Sequence, residues 1–480
     1  MQRRKRSGKQ YLICINELLS EQWPVPDNIQ RERTDKPPLS RSTLFFYSLS
    51  DMPIQMAAIP VAAFLPNYYG QDLGLNLAAV GTIWLIARLF DAVTDPLMGW
   101  ISDRTQTPWG RRRIWMVAAV PLLMASIYKL FMPEAPVDEV YLLTWLIVLW
   151  TGWTMLFIPY YAWAAEMSDD YNERTRITGW RAWIGMAANV ISKLVPVIAL
   201  YAFQMKGMEV TLWMIGTMTL ILLPITVGLT VWKVPERRDF VPSRMPVLPG
   251  LKLMWRNAPF KRLVLAFFVN QLGSAISTAL VAFYIRNVLK DDSGSITMLL
   301  VFYVANLIGI PFWVRISQTF SKHRAWAMAL IAFGCCQCGY LLLGAGDLLY
   351  MAPIMAMTGF LGGSFNALPN AMKADVIDID RLESGEDRAA WFFAVWSFVI
   401  KIALSIGPAI ALWVLALVGF STTVGAGSEE GLLGLKLFYV FGPAAGFTLA
   451  ALIVWNHPLT PARHQQIREE LAMKRVARTG

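Results

Sequence analysis

Residues 84–100 read Trp84-Leu-Ile-Ala-Arg88-Leu-Phe-Asp91-Ala-Val-Thr94-Asp95-Pro96-Leu-Met-Gly99-Trp100. They sit in a largely apolar run over 77–101, longer than the roughly 20 residues a helix needs to cross the hydrocarbon core. Arg88, Asp91 and Asp95 stand at i, i+3 and i+7, on one helical face. An ionisable group in the bilayer costs at least about 2.5–3.5 kcal/mol on insertion scales, so such a face points into a protein interior and is by default functional. The stretch therefore reads as one helix of a membrane bundle with a polar centre.

Outward from it, further apolar runs predict spans at approximately 43–68, 113–132, 140–165, 178–203, 210–233, 260–287, 296–318, 324–346, 349–372, 390–420 and 433–456, twelve in all with 77–101. The composition agrees. Of 480 residues, 56% are hydrophobic and 16% charged, less charge than the surface of a soluble chain of this length carries. The 20 Trp suit the headgroup region, where amphipathic rings settle.

The formal net charge of +10 is explained without nucleic acid, because basic residues gather in the loops of one side. Arg104 and Arg111–Arg113, Arg174 and Arg176, Lys233 to Lys252, Lys322 to Arg324, Lys373 to Arg388, and the tail with Arg463 alternate with acidic or neutral loops carrying Asp72, Glu134, Lys206 with Glu209, Lys290 with Asp291, Asp347 and Glu429. The alternation predicts a multi-pass protein of the cell (inner) membrane with both termini cytoplasmic. Residues 1–40 lack an apolar signal-peptide core and predict a cytoplasmic arm with a short helix near Tyr11–Leu19. The polar stretch 235–259 divides the chain into six-helix halves at 41–234 and 260–456, and 457–480 forms a tail. Cys14, Cys335, Cys336 and Cys338 show no disulfide or zinc spacing.

The halves echo each other at their fourth spans: Pro159-Tyr-Tyr-Ala-Trp-Ala-Ala-Glu166 against Leu368-Pro-Asn-Ala-Met-Lys-Ala-Asp375. Parallel repeats of this kind mark two-halved transporters with a central site.

Two carboxylates one turn apart repel when ionised, so a proton, a metal cation or a basic side chain must lie between them. Lys401, alone in the eleventh span, is the expected partner. Competition between that lysine and a cation would couple transport; the alternative is an ion-pair network that only holds helices together. Arg181 opens the fifth span and could meet solute or snorkel to the interface. Lys193 lies deeper. The linker Gly99-Trp-Ile-Ser-Asp103-Arg104…Gly110-Arg111-Arg112-Arg113 reads as a gate in which Asp103 can cap a helix and the Arg residues can meet carboxylates. Glu166, Asp375 and Arg388 are further gating candidates.

The linker resembles, in stretched form, the loop signature of the major facilitator superfamily. The second span resembles that of its glycoside–pentoside–hexuronide:cation symporters, the group containing the melibiose permease. Pro369…Asp375-Val-Ile-Asp378, Lys401 and Ser50-Asp51 extend the likeness over 41–456. It implies an all-α fold of twelve transmembrane helices in two halves. It further implies that Asp91, Thr94, Asp95 and Thr154 surround a coupling H⁺ or Na⁺ beside Lys401. Asp51, Arg88, Phe157, Tyr161, Arg181 and Ser397 would face the solute. Phe157 stands where the melibiose permease has an aspartate, which argues against a galactoside. The expected activity is cation-coupled symport of a small solute, a sugar or glycoside, by alternating access; a lysolipid carrier is the alternative. No cofactor is expected beyond the cation, the partners are solute, cation and bilayer, and the chain is expected to be a monomer. A multispanning enzyme or sensor is disfavoured: the three His lie in a loop and the tail, and no nucleotide, metal or nucleophile motif appears.

Overall fold

The computed structural model describes residues 39–134, 136–168, 171–236, 257–291, 294–384, 389–420 and 429–458, with 466 and 470. The expected N-terminal arm, Arg388, and most of the 235–259 loop and the C-terminal tail lie outside the described residues.

Among the described residues, twelve helices are long and apolar enough to span a membrane. α1 runs Arg41–Asp72 in pieces: Arg41–Ser48, Asp51–Ala63, Leu65–Asn67 and a π turn at Tyr68–Asp72. α2 is Leu77–Arg104, α3 Arg113–Phe131, α4 Glu139–Met167, α5 Tyr171–Ala202, α6 Met208–Lys233, α7 Ala258–Asn287 and α8 Gly294–Phe320. α9 is Lys322–Gln337 with a tighter 3₁₀ end, Cys338–Leu342. α10 is Leu348–Gly362 and Ser364–Ser384, α11 Ala389–Leu417 and α12 Glu429–Trp455.

The sequence predicts every one of these spans; its errors lie at the ends. α5 begins at Tyr171 rather than 178, and α10 continues to Ser384 rather than 372, so Glu173, Arg176 and Asp375 belong to helices. Polar residues extend a helix past the membrane when their side chains find partners, as Arg176 does on Glu173 and Lys322 on Asp375. Side-chain caps fix several starts: Asn76 accepts from the Ala78 and Ala79 amides, Asp138 from Tyr141 and Asn257 from Phe260. Each satisfies a donor that the first turn leaves open. α11 runs unbroken through Gly407-Pro408, and Gly407 lets α7 approach through Ala275.

Among the described residues, the halves meet mainly at α1 with α7, α2 with α11, and α5 with α8. Twelve crossings leave Arg41 and Trp455 at one end of the bundle, the termini end. At the opposite, far end, Gln71 and Asn287 exchange side-chain amide hydrogen bonds at 3.1 and 3.2 Å. Arg286 forks onto Asp72 at 2.5 and 2.8 Å. Between the far end and the middle, Trp413 Nε1 donates to Thr82 Oγ1 at 3.1 Å. At the termini end each half is braced within itself, by Arg112 on Glu166 and by Lys322 on Asp375.

Candidate coupling and solute site

The charged face of α2 meets α4 and α11. Asp91 is 3% exposed. The hydroxyl of Thr154, on α4, lies 2.8 Å from Asp91 Oδ1 and 2.9 Å from Asp95 Oδ1, so its one proton divides between two carboxylates. Lys401 donates to Asp91 Oδ2 at 3.2 Å and also to Asp95 Oδ2. Arg88 contacts Asp91 Oδ2 at 3.4 Å, with its guanidinium 3.8 Å from the centre of a Trp150 ring. With both carboxylates ionised, two cations face two anions and the cluster is neutral. An added proton or metal cation would leave an excess positive charge in a low-dielectric interior, where such charge is costly. A cation entering this cluster would therefore have to displace Lys401, the partner held from the other half.

Of the residues expected around the cation, Asp91, Asp95, Thr154 and Lys401 come together. Thr94 does not join them: its hydroxyl donates to the Asp91 carbonyl at 3.1 Å, as a helical threonine does when no better acceptor faces it. Arg88, expected at the solute, contacts Asp91 and the Trp150 ring.

A second group lies between α1, α4 and α5. Asp51 is 3% exposed, and Arg181 approaches its Oδ1 at 4.0 Å. The Arg181 guanidinium sits 3.9 Å from the Tyr161 ring centre and 5.1 Å from that of Tyr160. Phe157 meets Tyr161 edge-on with ring centres 4.0 Å apart, and stacks toward Trp153. Gly185 makes the approach of α1 and α5 possible, since a Cβ there would fall 2.8 Å from Asp51 Oδ2. An acid, a guanidinium and aromatic faces together can hold hydroxyls and the flat face of a ring. Ser397 is exposed on α11, one turn from Lys401 toward the termini end.

The linker residues form a brace. Arg112 is 3% exposed and donates to Ser102 (2.6 Å), Asp103 (2.6 Å) and Glu166 (2.6 and 3.1 Å). Arg111 reaches Glu166 at 2.7 Å. Arg104 lies over Trp100, while the Gly99 carbonyl accepts from the Ser102 hydroxyl of the brace at 3.2 Å. Asp375 binds Lys322 at 2.6 Å. Each half thus pairs the carboxylate of its fourth helix with a base at the start of its third.

Sequence reasoning did not find Glu236, whose Oε1 accepts the Arg111 and Arg112 amides at 2.8 Å each and caps α3. Nor did it find the far-end pairs Gln71–Asn287 and Asp72–Arg286. Lys193, passed over as a deep residue of the fifth span, is fully buried, bonded to Asn189 Oδ1 at 2.6 Å and 4.7 Å from the Tyr303 ring centre on α8.

Comparison with known proteins places this geometry in context. The family profile described as MFS/sugar transport protein matches residues 46–461. The isoprimeverose transporter of Lactiplantibacillus pentosus is 24% identical over 424 residues, covering 86% of this chain and 87% of that protein. The sodium-dependent lysophosphatidylcholine symporter 1-A of Danio rerio is 22% identical over 476 residues, covering 89% and 87%. Among solved structures, the nucleoside transporter NupG superposes with a TM-score of 0.60 at 12% identity, over 87% of this chain and 100% of that one, a likeness of fold.

Proposed function

The chain belongs to the MFS/sugar transport protein family, and from that premise we propose that it is a secondary symporter that moves a small sugar or glycoside with H⁺ or Na⁺. Asp91, Asp95 and Thr154 hold the coupling cation in exchange for the Lys401 ammonium. Asp51, Arg181, Tyr161 and Phe157 face the solute. The single observation that carries this reading is Lys401 of one half lying between the two carboxylates of the other. Displacing it loosens the α2–α11 seam, so cation occupancy and the rocking of the halves become one event, as alternating access requires. Solute and cation must then favour each other's binding reciprocally.

The far-end latch supports a state in which the solute path is shut on that face. The alternation of loop charge supports placing the termini end in the cytoplasm. Relatives named for isoprimeverose and for lysophosphatidylcholine define the two solute classes worth testing. The test is uptake by proteoliposomes under imposed H⁺ or Na⁺ gradients, against a panel of pentosides, hexosides and lysophosphatidylcholine. The reading predicts accumulation of a glycoside above equilibrium when one cation gradient is present. Equal uptake with and without every gradient would overturn it.

A further inference from the structure

The C-terminal half contains a half-open cavity of about 210 Å³ between α7, α8, α9, α10 and α12. Its lining contains no charged side chain. Amides and hydroxyls alternate there with aromatic rings. Gln337 of α9 is 1% exposed and lines the cavity, and its amide nitrogen has no hydrogen-bond partner among the described residues. Gln271 of α7, also in the lining, accepts at its amide oxygen from Asn270 at 3.1 Å. Asn306 of α8 adds a third amide. The Tyr340 hydroxyl meets the Met355 sulfur (3.2 Å), Thr358 Oγ1 (3.5 Å) and the Tyr439 hydroxyl, a polar cluster on the cavity wall.

Buried amides left unpaired are destabilising, and a bundle selected for packing alone would fill this space with aliphatic groups. These amides and hydroxyls each offer both donors and acceptors, the complement of a group that carries several hydroxyls. The aromatic walls supply flat apolar faces. The volume is below the roughly 300–1,000 Å³ of drug-sized sites, which suits a single ring. With no charge in the lining, a phosphate would be buried uncompensated. Tyr303, part of the wall, also packs against Lys193 of α5, so an occupant would touch the seam between the halves.

We infer that this cavity is a second subsite, within the C-terminal half, for a neutral polyhydroxylated ring: one sugar unit of a transported glycoside. The inference rests on the transport reading above and names a part of its solute site. Gln337 is its specificity-determining residue, because a site built to bond a hydroxyl rejects an analogue that lacks it.

The test uses the full-length protein in phosphatidylcholine nanodiscs, with tryptophan fluorescence as the readout. Aryl glycosides of hexoses and pentoses, their singly deoxygenated analogues, and lysophosphatidylcholine are the probes. The unmodified protein should prefer a glycoside over one of its deoxy analogues. Gln337→Leu should weaken that glycoside about tenfold, the loss of one buried hydrogen bond, and erase the preference. Gln337→Asn should retain part of both, and Asn306→Ala gives a second variant on the opposite wall should Gln337→Leu fail to fold. Lysophosphatidylcholine binding should not respond to any of them. Unchanged glycoside binding in folded Gln337→Leu and Asn306→Ala would overturn the subsite, as would an unmodified protein that binds no glycoside. Gradient-driven uptake separates the two readings: uptake intact and equally selective in Gln337→Leu sinks only the subsite, whereas uptake independent of any gradient in the unmodified protein sinks the symport reading.

Discussion

Lys401 on α11 and Asp95 on α2 form an ion pair across the seam between the two halves, and Lys401 also reaches Asp91 at 3.2 Å. The pair fixes the relation of the halves and at the same time occupies the place a cation would take. That double use gives the account its first prediction, a stability cycle. Lys401→Met leaves two carboxylates one turn apart with only Arg88 beside them, and breaking a buried pair from one side costs about 3–5 kcal/mol. Removing an acid as well relieves the repulsion. Lys401→Met should lower the unfolding midpoint in detergent more than the Lys401→Met/Asp95→Asn double variant does. Additive losses would show that the two side chains are not coupled.

The second prediction concerns the far end. Arg286 forks onto Asp72 of the other half, and charge-assisted bidentate pairs are the stronger kind. Being partly exposed, this one is expected to contribute about 1 kcal/mol, a shift of about fivefold between two states. Arg286→Ala should make a cysteine placed at Val281, in a background without native cysteines, react severalfold faster with an impermeant thiol reagent applied from the far face. An unchanged rate would remove the latch from the account.

Gly185 tests the solute group apart from the cation group. A Cβ there would press on Asp51 Oδ2 and on Gln55 Cγ at 3.0 Å. The carboxylate is the movable neighbour and must swing off Arg181. Gly185→Ala should raise the KM for solute at least several-fold and leave the cation dependence of uptake unchanged. A changed cation dependence with an unchanged KM would reverse the assignment of the two groups.

A pH effect is expected just past the end of α12. His457 is buried, with its Nε2 3.1 Å from the Pro259 carbonyl. Burial pulls its pKa from 6.5 down to about 4, with the nearby His323 and Arg262 adding to the fall. A pKa depressed in the folded state means that the unfolded chain takes up the proton first. The stability this neutral imidazole gives is therefore complete above about pH 6.5 and is lost as pH falls toward 4. His457→Gln should flatten the dependence of the unfolding midpoint on pH in that window, and an unchanged slope would contradict it.

The sequence carries much of this, for a physical reason that can be named residue by residue. Asp91, Asp95 and Lys401 are legible because charge in an apolar run is costly and must find its opposite. The spans are legible because hydrocarbon demands unbroken apolar length. Thr154 enters only through family resemblance, since one threonine in an apolar helix says nothing about which way it faces. Thr94, carried over by the same resemblance, turns to its own backbone, because a helix always offers a threonine that acceptor. Gln71–Asn287 and the Glu236 cap were not legible. They join ordinary polar residues 216 and 124–125 positions apart, and no local pattern marks such pairs. Gln337 lay hidden for the opposite reason: in an apolar run beside three cysteines, one amide reads as packing until its missing partner is seen.

The central claim is that cation and Lys401 exchange at Asp91 and Asp95. It is tested most directly by comparing gradient-driven accumulation with solute counterflow in the Asp95→Asn variant, in the same proteoliposomes. Counterflow needs solute binding and rocking of the halves but no gradient. The account predicts that accumulation is lost while counterflow persists. Accumulation to the unmodified level in both Asp95→Asn and Asp91→Asn would contradict it.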